Sequence, residues 1–297
     1  MSKTILVIGG SGCVGRNVIE VLMRDHPECR VILLSRGIAS VEQRQGVTWV
    51  RGDILDKDSL LDVMRKFEVT HILHAAGMRT SDCKADPVHA MEVNVAGTVN
   101  VLDSARMHGA IERLVFLSTA AVYEVPDGEE FLDEGAKTSA LNAYTASKLA
   151  AEAMVECYAR SYGLKCTVLR PQIIYGPDRE GEGSTAGVSV AIREAAAGRK
   201  YTIPFQGRTY FHYTKDVGIY VVRSLLESSD DYAVYNLPGE SLEVAEIAET
   251  LNRWAGRELV DYMPVSYPFA QGLVDTKFRE AYPSVANTPL DAVLENL

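Results

Sequence analysis

Over its first two-thirds the chain alternates short apolar runs with stretches in which apolar residues recur at helical spacing. The runs are Ile5–Ile8, Val31–Leu34, Val47–Val50, His71–Ala75, Leu114–Leu117 and Thr167–Leu169, built mainly from β-branched residues and leucine. A strand covered on both faces needs apolar side chains at successive positions, and these runs have that form. The stretches between them, Val14–Arg24, Ser59–Phe67, Pro87–His108 and Ala143–Tyr162, read as helices. Strands alternating with helices predict an α/β fold with a doubly wound parallel sheet.

After Pro171 the pattern changes. Asp178–Ser189 is rich in glycine and charge and reads as a loop. Val188–Ala197, Tyr213–Leu226 and Val244–Trp254 read as helices, the last among proline-rich connections. This predicts a main domain over residues 1–170, to which 210–240 returns, and a small C-terminal lobe from 171–209 and 241–297. No internal repeat or low-complexity tract interrupts either part.

Composition narrows the function classes. The chain has 297 residues, 47% hydrophobic and 24% charged, as ordinary globular proteins do. A formal net charge of −10 argues against a nucleic-acid partner, which needs clustered lysine and arginine. No apolar stretch of about 18 residues is present, so no membrane span is expected. The opening Met-Ser-Lys leads into a short apolar run and then glycines rather than a signal sequence, and a cytoplasmic protein is expected. The five cysteines (Cys13, Cys29, Cys83, Cys157 and Cys166) include no CxxC pair, which predicts reduced thiols. The six histidines form no HExxH and no i,i+4 pair, so no metal site is expected.

The chemistry concentrates in two places. Gly9-Gly10-Ser11-Gly12-Cys13-Val14-Gly15 follows the first strand and opens the first helix. It satisfies G-x-G-x-x-G through Gly10, Gly12 and Gly15, and G-x-x-G-x-x-G through Gly9, Gly12 and Gly15. Missing side chains let backbone approach a pyrophosphate, and the helix N-terminus supplies N–H donors; this is a Rossmann-type dinucleotide signature. Gly9, Gly12, Cys13, Val14 and Gly15 are therefore expected to line a cofactor. At the end of the second strand stands Ser35-Arg36-Gly37, where a carboxylate would hold the ribose hydroxyls of NAD. An arginine there suits a 2′-phosphate, so NADP(H) is favoured, with NAD(H) the alternative. Asp53 is a candidate for the adenine amine, or else a turn or helix cap.

Tyr144 and Lys148 form the second place. Spacing i,i+4 puts both on one helix face. A phenol has a pKa near 10, and a close ammonium makes it a usable acid–base. Leu114–Leu117 leads directly into Ser118 and Thr119, hydroxyls at a strand's C-terminal edge, where ligands bind in such sheets. Thr119 is expected to hold the reacting oxygen; a capping or turn role fits Ser118 better. No G-x-S-x-G elbow or P-loop is present.

Taken together, these motifs resemble the extended short-chain dehydrogenase/reductase family, the NAD-dependent epimerase/dehydratase group. The resemblance runs from residue 3 to about 240. It is carried by Gly9–Gly15, Gly52-Asp53, His74–Gly77, Asn94–Thr98, Ser118–Tyr123, Tyr144–Lys148, Leu169–Pro171, Tyr175–Pro177 and Lys215–Val217. It implies that Tyr144 is the general acid–base, that Lys148 binds the nicotinamide ribose and tunes Tyr144, and that Thr119 fills the family's Ser/Thr position. It also implies a cofactor lining that takes in Ser35, Arg36, Asp53, Ile54, Ala75, Ala76, Gly77, Asn94, Leu117 and Pro171. The substrate side is expected at Met78, Thr119, Ala120, Gln172 and Arg208, and a homodimer is expected.

Departures from the family pattern bear on the substrate. The 4,6-dehydratases carry Thr-Asp-Glu where this chain has Thr119-Ala120-Ala121, so the acid for water elimination is missing. Ile173 replaces the asparagine that epimerases place near a diphosphate, and Thr209 replaces their downstream arginine, with Arg208 adjacent. The expected function is an NADP(H)-dependent oxidoreductase that interconverts a ketone and a secondary alcohol on a sugar or sugar-like small molecule. The alternatives are a sugar or nucleotide-sugar epimerase that retains its cofactor and a non-catalytic NADP-binding sensor.

Overall fold

The computed structural model describes residues 3–37, 46–125, 131–179 and 183–297. Two compact units are present: Met1–Val122 with Thr138–Arg170 and Gly218–Tyr235, and Tyr123–Lys137 with Pro171–Val217 and Asn236–Leu297.

The first unit is built on a seven-stranded sheet. Its strands are β1 (Thr4–Ile8), β2 (Arg30–Ser35), β3 (Val47–Arg51), β4 (His71–His74), β5 (Arg113–Leu117), β6 (Cys166–Arg170) and β7 (Tyr232–Asn236). The spatial order is β7-β6-β5-β4-β1-β2-β3, and β1 to β6 pair in parallel. Order 3-2-1-4-5-6 is the doubly wound Rossmann arrangement, whose crevice lies beyond the strands' carboxyl ends. Every residue of β1 and β6 is buried, as the continuous apolar runs require.

Helices α1 (Cys13–Asp25), α2 (Lys57–Lys66), α3 (Gly97–His108) and α4 (Ala143–Tyr162) belong to the same unit. Leu60, Met64, Val101, Leu102, Ala151 and Val155 form one apolar core with β1, β2, β4, β5 and β6. Local chemistry fixes the helix ends. Asp56 accepts from Ser59 N at 3.0 Å to cap α2, and Asn142 and Thr145 form a reciprocal capping box on α4. The expected single helix Pro87–His108 is divided. Pro87–Met91 is followed by a π-helical turn, Glu92–Ala96, before α3. Such a turn inserts a residue into the helical repeat and often marks a functional position; here it carries Asn94.

In the second unit, Arg208–Tyr213 is the central strand of three, parallel to Ile173–Tyr175 and antiparallel to Glu240–Glu243. Ile192, Phe205, Phe211, Ile247, Leu251 and Val293 make its core. Of the expected loop Asp178–Ser189, residues 180–182 lie outside the described residues. Its far end is helical instead: Gly187 opens Gly187–Ala196, and Ser189 is buried and accepts from Gly176 N at 3.2 Å. Among the described residues no helix is long and apolar enough to cross a membrane, and no cluster of metal-ligating side chains occurs. No disulfide joins cysteines among the described residues.

Candidate active site

The glycine turn joins β1 to α1. Gly9 has φ +89°, and a Cβ there would stand 2.6 Å from Ala76 N. At Gly15 a Cβ would lie 2.4 Å from Gly10 Cα. Those two glycines are demanded by the fold itself. Gly12 is different: its φ is −76°, and the nearest atom to a Cβ would be Gly9 O at an ordinary 3.4 Å. As N-cap of α1 it offers no side chain to the helix N-terminus, and the first turn holds no acidic residue. Cys13 is half-buried and Val14 buried within that turn. An uncapped N-terminus behind a bare glycine suits a diphosphate.

At the end of β2, Ser35 is buried. Its Oγ accepts from Trp49 Nε1 at 2.7 Å and donates to Gly37 O at 3.1 Å. Arg36 is exposed and Arg51 lies opposite Ser35 in register, so two cations stand at this edge. The Asp53 carboxylate accepts from Leu55 N at 3.0 Å, the turn-cap arrangement. Ile54 is a core residue packed at Gly97, and its carbonyl accepts from Asn100.

Lys148 is buried in the first turns of α4, and its Nζ donates to Leu117 O, at the end of β5, at 2.7 Å. The ammonium also stands 4.5 Å from the Phe116 ring centroid. Burial pulls its pKa down to about 8, against the opposing charge of Glu152. Tyr144 is half-buried one helical turn earlier.

Of the two hydroxyls that follow β5, Thr119 makes the local turn contact. The Thr119 hydroxyl accepts from Ala121 N at 3.2 Å, the turn contact expected of Ser118. Ser118 Oγ is buried without a partner among the described residues. The reason is the chain's turn into the short 3₁₀ segment Ala120–Val122, whose first N–H groups fall beside Thr119. A hydroxyl that accepts still has its proton to give, so Thr119 remains able to donate to a ligand oxygen. Ala120 is buried beside it.

Ala75 and Ala76 are half-buried after β4, with Ala75 N bonded to Ile8 O at 2.9 Å, and Gly77 is exposed. Asn94 is buried and its amide is committed to protein groups. Oδ1 accepts from Met78 N at 2.7 Å, and Nδ2 donates to Ser147 Oγ at 2.9 Å. Ser147 Oγ in turn donates to Tyr144 O at 2.8 Å. Asn94 therefore ties the loop after β4 to the turn that carries Tyr144. Ser147 and Thr98 lie inside the motifs Tyr144–Lys148 and Asn94–Thr98 but are not among the expected site residues. Thr98 donates to Asn94 O at 2.6 Å, so His74 Nε2 must donate to Thr98 Oγ1 at 3.0 Å, leaving Nδ1 buried with no partner among the described residues. Burial and the charge of Lys148 push the His74 pKa down to about 3. The one signal for Ser147 was its place between Tyr144 and Lys148.

The remaining candidates lie in the second unit. Pro171 is buried. Gln172 donates to Ala270 O at 2.7 Å and to Thr209 Oγ1. Arg208 donates to Ser241 O at 3.1 Å and pairs with Glu246 at 3.1 Å. Both side chains already have protein partners.

The residues of the first unit fit a nicotinamide dinucleotide: a glycine turn with one position open, an uncapped helix N-terminus, and a buried ammonium at the sheet's carboxyl edge. Comparison with known proteins agrees. A model described as the NAD dependent epimerase/dehydratase family matches residues 5–237. The chain is 28% identical, over an aligned length of 310, to the UDP-glucose 4-epimerase of Rhizobium meliloti, covering 96% of this chain and 89% of that protein. It is 28% identical over 259 residues to the dTDP-D-glucose 4,6-dehydratase of Mus musculus, covering 83% and 70%. Among solved structures, the UDP-glucose 4-epimerase of Thermus thermophilus in complex with NAD is similar with a TM-score of 0.83 and 27% identity, covering 98% of each chain.

Proposed function

The chain belongs to the NAD dependent epimerase/dehydratase family, and on that premise we propose that it oxidises or reduces one secondary-alcohol carbon of a sugar or sugar-like substrate. The observation that carries this is the buried Lys148 ammonium fixed on Leu117 O, one turn after Tyr144. When bound, the dinucleotide supplies hydride transfer. Gly9, Gly12 and Gly15 would admit its diphosphate at the start of α1. Lys148 retains ammonium protons for a ribose hydroxyl and holds the Tyr144 phenol ionisable. Tyr144 gives or takes the hydroxyl proton, and Thr119 orients the reacting oxygen toward it. The exposed Arg36, with no carboxylate on Ser35-Arg36-Gly37, supports NADP(H) over NAD(H). Ala120 and Ala121 carry no acid, which disfavours elimination of water.

A second reading, a sugar or nucleotide-sugar epimerase that keeps its cofactor, is favoured by the near full-length similarity to UDP-glucose 4-epimerases. The experiment is a panel of sugars, their ketones and nucleotide sugars, incubated with NADPH and with NADH. Steady loss of NADPH supports the oxidoreductase. Isomer formation with no net cofactor change, from protein that purifies with dinucleotide bound, selects the epimerase. A chain in which Tyr144→Phe leaves either turnover intact refutes both. A homodimer in the cytoplasm completes the proposal, and light scattering of the purified chain tests the dimer.

A further inference from the structure

A buried ion pair lies one helical turn beyond Lys148. Glu152 follows Lys148 by four residues in α4, so the two side chains share a face, and both are buried. Arg170, the last residue of β6, donates Nε to one Glu152 oxygen at 3.0 Å and Nη2 to the other at 2.5 Å. A carboxylate gripped at both oxygens cannot turn. The same strand lies beside β5, with Leu169 opposite Leu117, whose carbonyl receives the Lys148 ammonium. Stability alone motivates such a pair poorly, because its attraction repays the desolvation of two charges only in part.

We propose that Glu152, held by Arg170, is a positioning residue for Lys148: a fixed carboxylate that keeps the buried lysine an ammonium at the pH where Tyr144 exchanges its proton. This rests on Tyr144 and Lys148 being the acting pair. The other groups facing Lys148 do not supply that charge. From β5 come a carbonyl and the Phe116 ring. From β4 comes His74, which burial keeps neutral down to about pH 3. From the helix Thr80–Ala85 comes Cys83, whose thiol burial pushes up, away from ionisation. Glu152 is the first of the groups opposing the effect of burial on Lys148.

The test follows the lysine directly and needs no substrate. Protein carrying carbon-13 at lysine Cε is titrated by NMR, and the Lys148 signal is identified by its loss in Lys148→Met. The wild-type midpoint is expected near 8. In Glu152→Gln it falls by roughly one unit, the lower end of what a close opposite charge contributes. Glu152→Asp keeps the charge and stays nearer the wild type. Should Glu152→Gln fail to fold around a lone Arg170, the double variant Glu152→Gln/Arg170→Met removes both charges and is expected to shift the midpoint down by less than Glu152→Gln, because losing the Arg170 cation acts in the opposite sense. Once a substrate is in hand, the alkaline limb of turnover moves with the midpoint. An unmoved midpoint in a folded variant, or a moved midpoint with an unmoved limb, overturns the proposal. If Lys148→Met leaves turnover intact, the assignment of the acting pair fails instead, and the NMR midpoints show that separately.

Discussion

Trp49 donates its indole N–H to the Ser35 hydroxyl at 2.7 Å, bridging β3 to the end of β2. Ser35 spends its own proton on Gly37 O, so its hydroxyl is fixed in the turn and the next side chain, Arg36, is left exposed. Arg36→Ala is expected to weaken NADPH binding about 10- to 100-fold, the worth of a charge-assisted hydrogen bond or two. NADH binding should change little. Titration of both cofactors by fluorescence checks this, and equal losses for the two would refute a role in selecting the phosphate.

Two glycines of the β1–α1 turn should respond oppositely to alanine. Gly9→Ala forces a side chain into a left-handed backbone and against Ala76 N, with φ +89° and a 2.6 Å approach. A loss of more than about 2 kcal/mol in urea unfolding is expected. Gly12→Ala meets only Gly9 O at 3.4 Å. Its stability should stay within about 1 kcal/mol of wild type, while dinucleotide affinity falls more than about tenfold because the methyl occupies the diphosphate approach.

Tyr144→Phe should lower turnover by about 100- to 10,000-fold, the range for loss of a positioned acid–base. Cofactor affinity and melting temperature should hold, since the phenyl ring keeps the packing. Thr119→Val should cost less turnover. It also removes the acceptor for Ala121 N, so a small drop in melting temperature is expected with it.

Acid should destabilise the fold through its buried histidines. Burial holds His74 near 3 and His212 near 4, against 6.5 when exposed. Between those values the unfolded chain binds protons that the folded chain refuses. The stability these neutral rings permit is complete above about 6.5 and is lost as pH falls toward the folded values. Each adds a slope of up to about 1.4 kcal/mol per pH unit in that window. Urea unfolding between pH 7 and 5 measures it, and His74→Gln should flatten the curve; an unchanged slope would show that His74 does not titrate this way.

The doubly wound parallel sheet and the place of the dinucleotide turn were legible in the chain. Runs such as Ile5–Ile8 and Leu114–Leu117 are apolar at every position, as a strand buried on both faces requires, and β1 to β6 each fall on an expected run, whereas Tyr232–Asn236 lies outside them. Ala143–Tyr162 matches its expected bounds, because Asn142 caps one end and Gly163, at φ +69°, closes the other. Spacing alone also put Tyr144 and Lys148 on one helix face. Tertiary structure decided what those side chains meet. The tie from Asn94 through Ser147 to Tyr144 and the grip of Arg170 on Glu152 join groups from different elements, and the break of Pro87–His108 at Glu92–Ala96 shows only in the folded chain. Periodicity tells a residue which way to face. It carries no record of the partner waiting there, which depends on how neighbouring strands and helices are brought together.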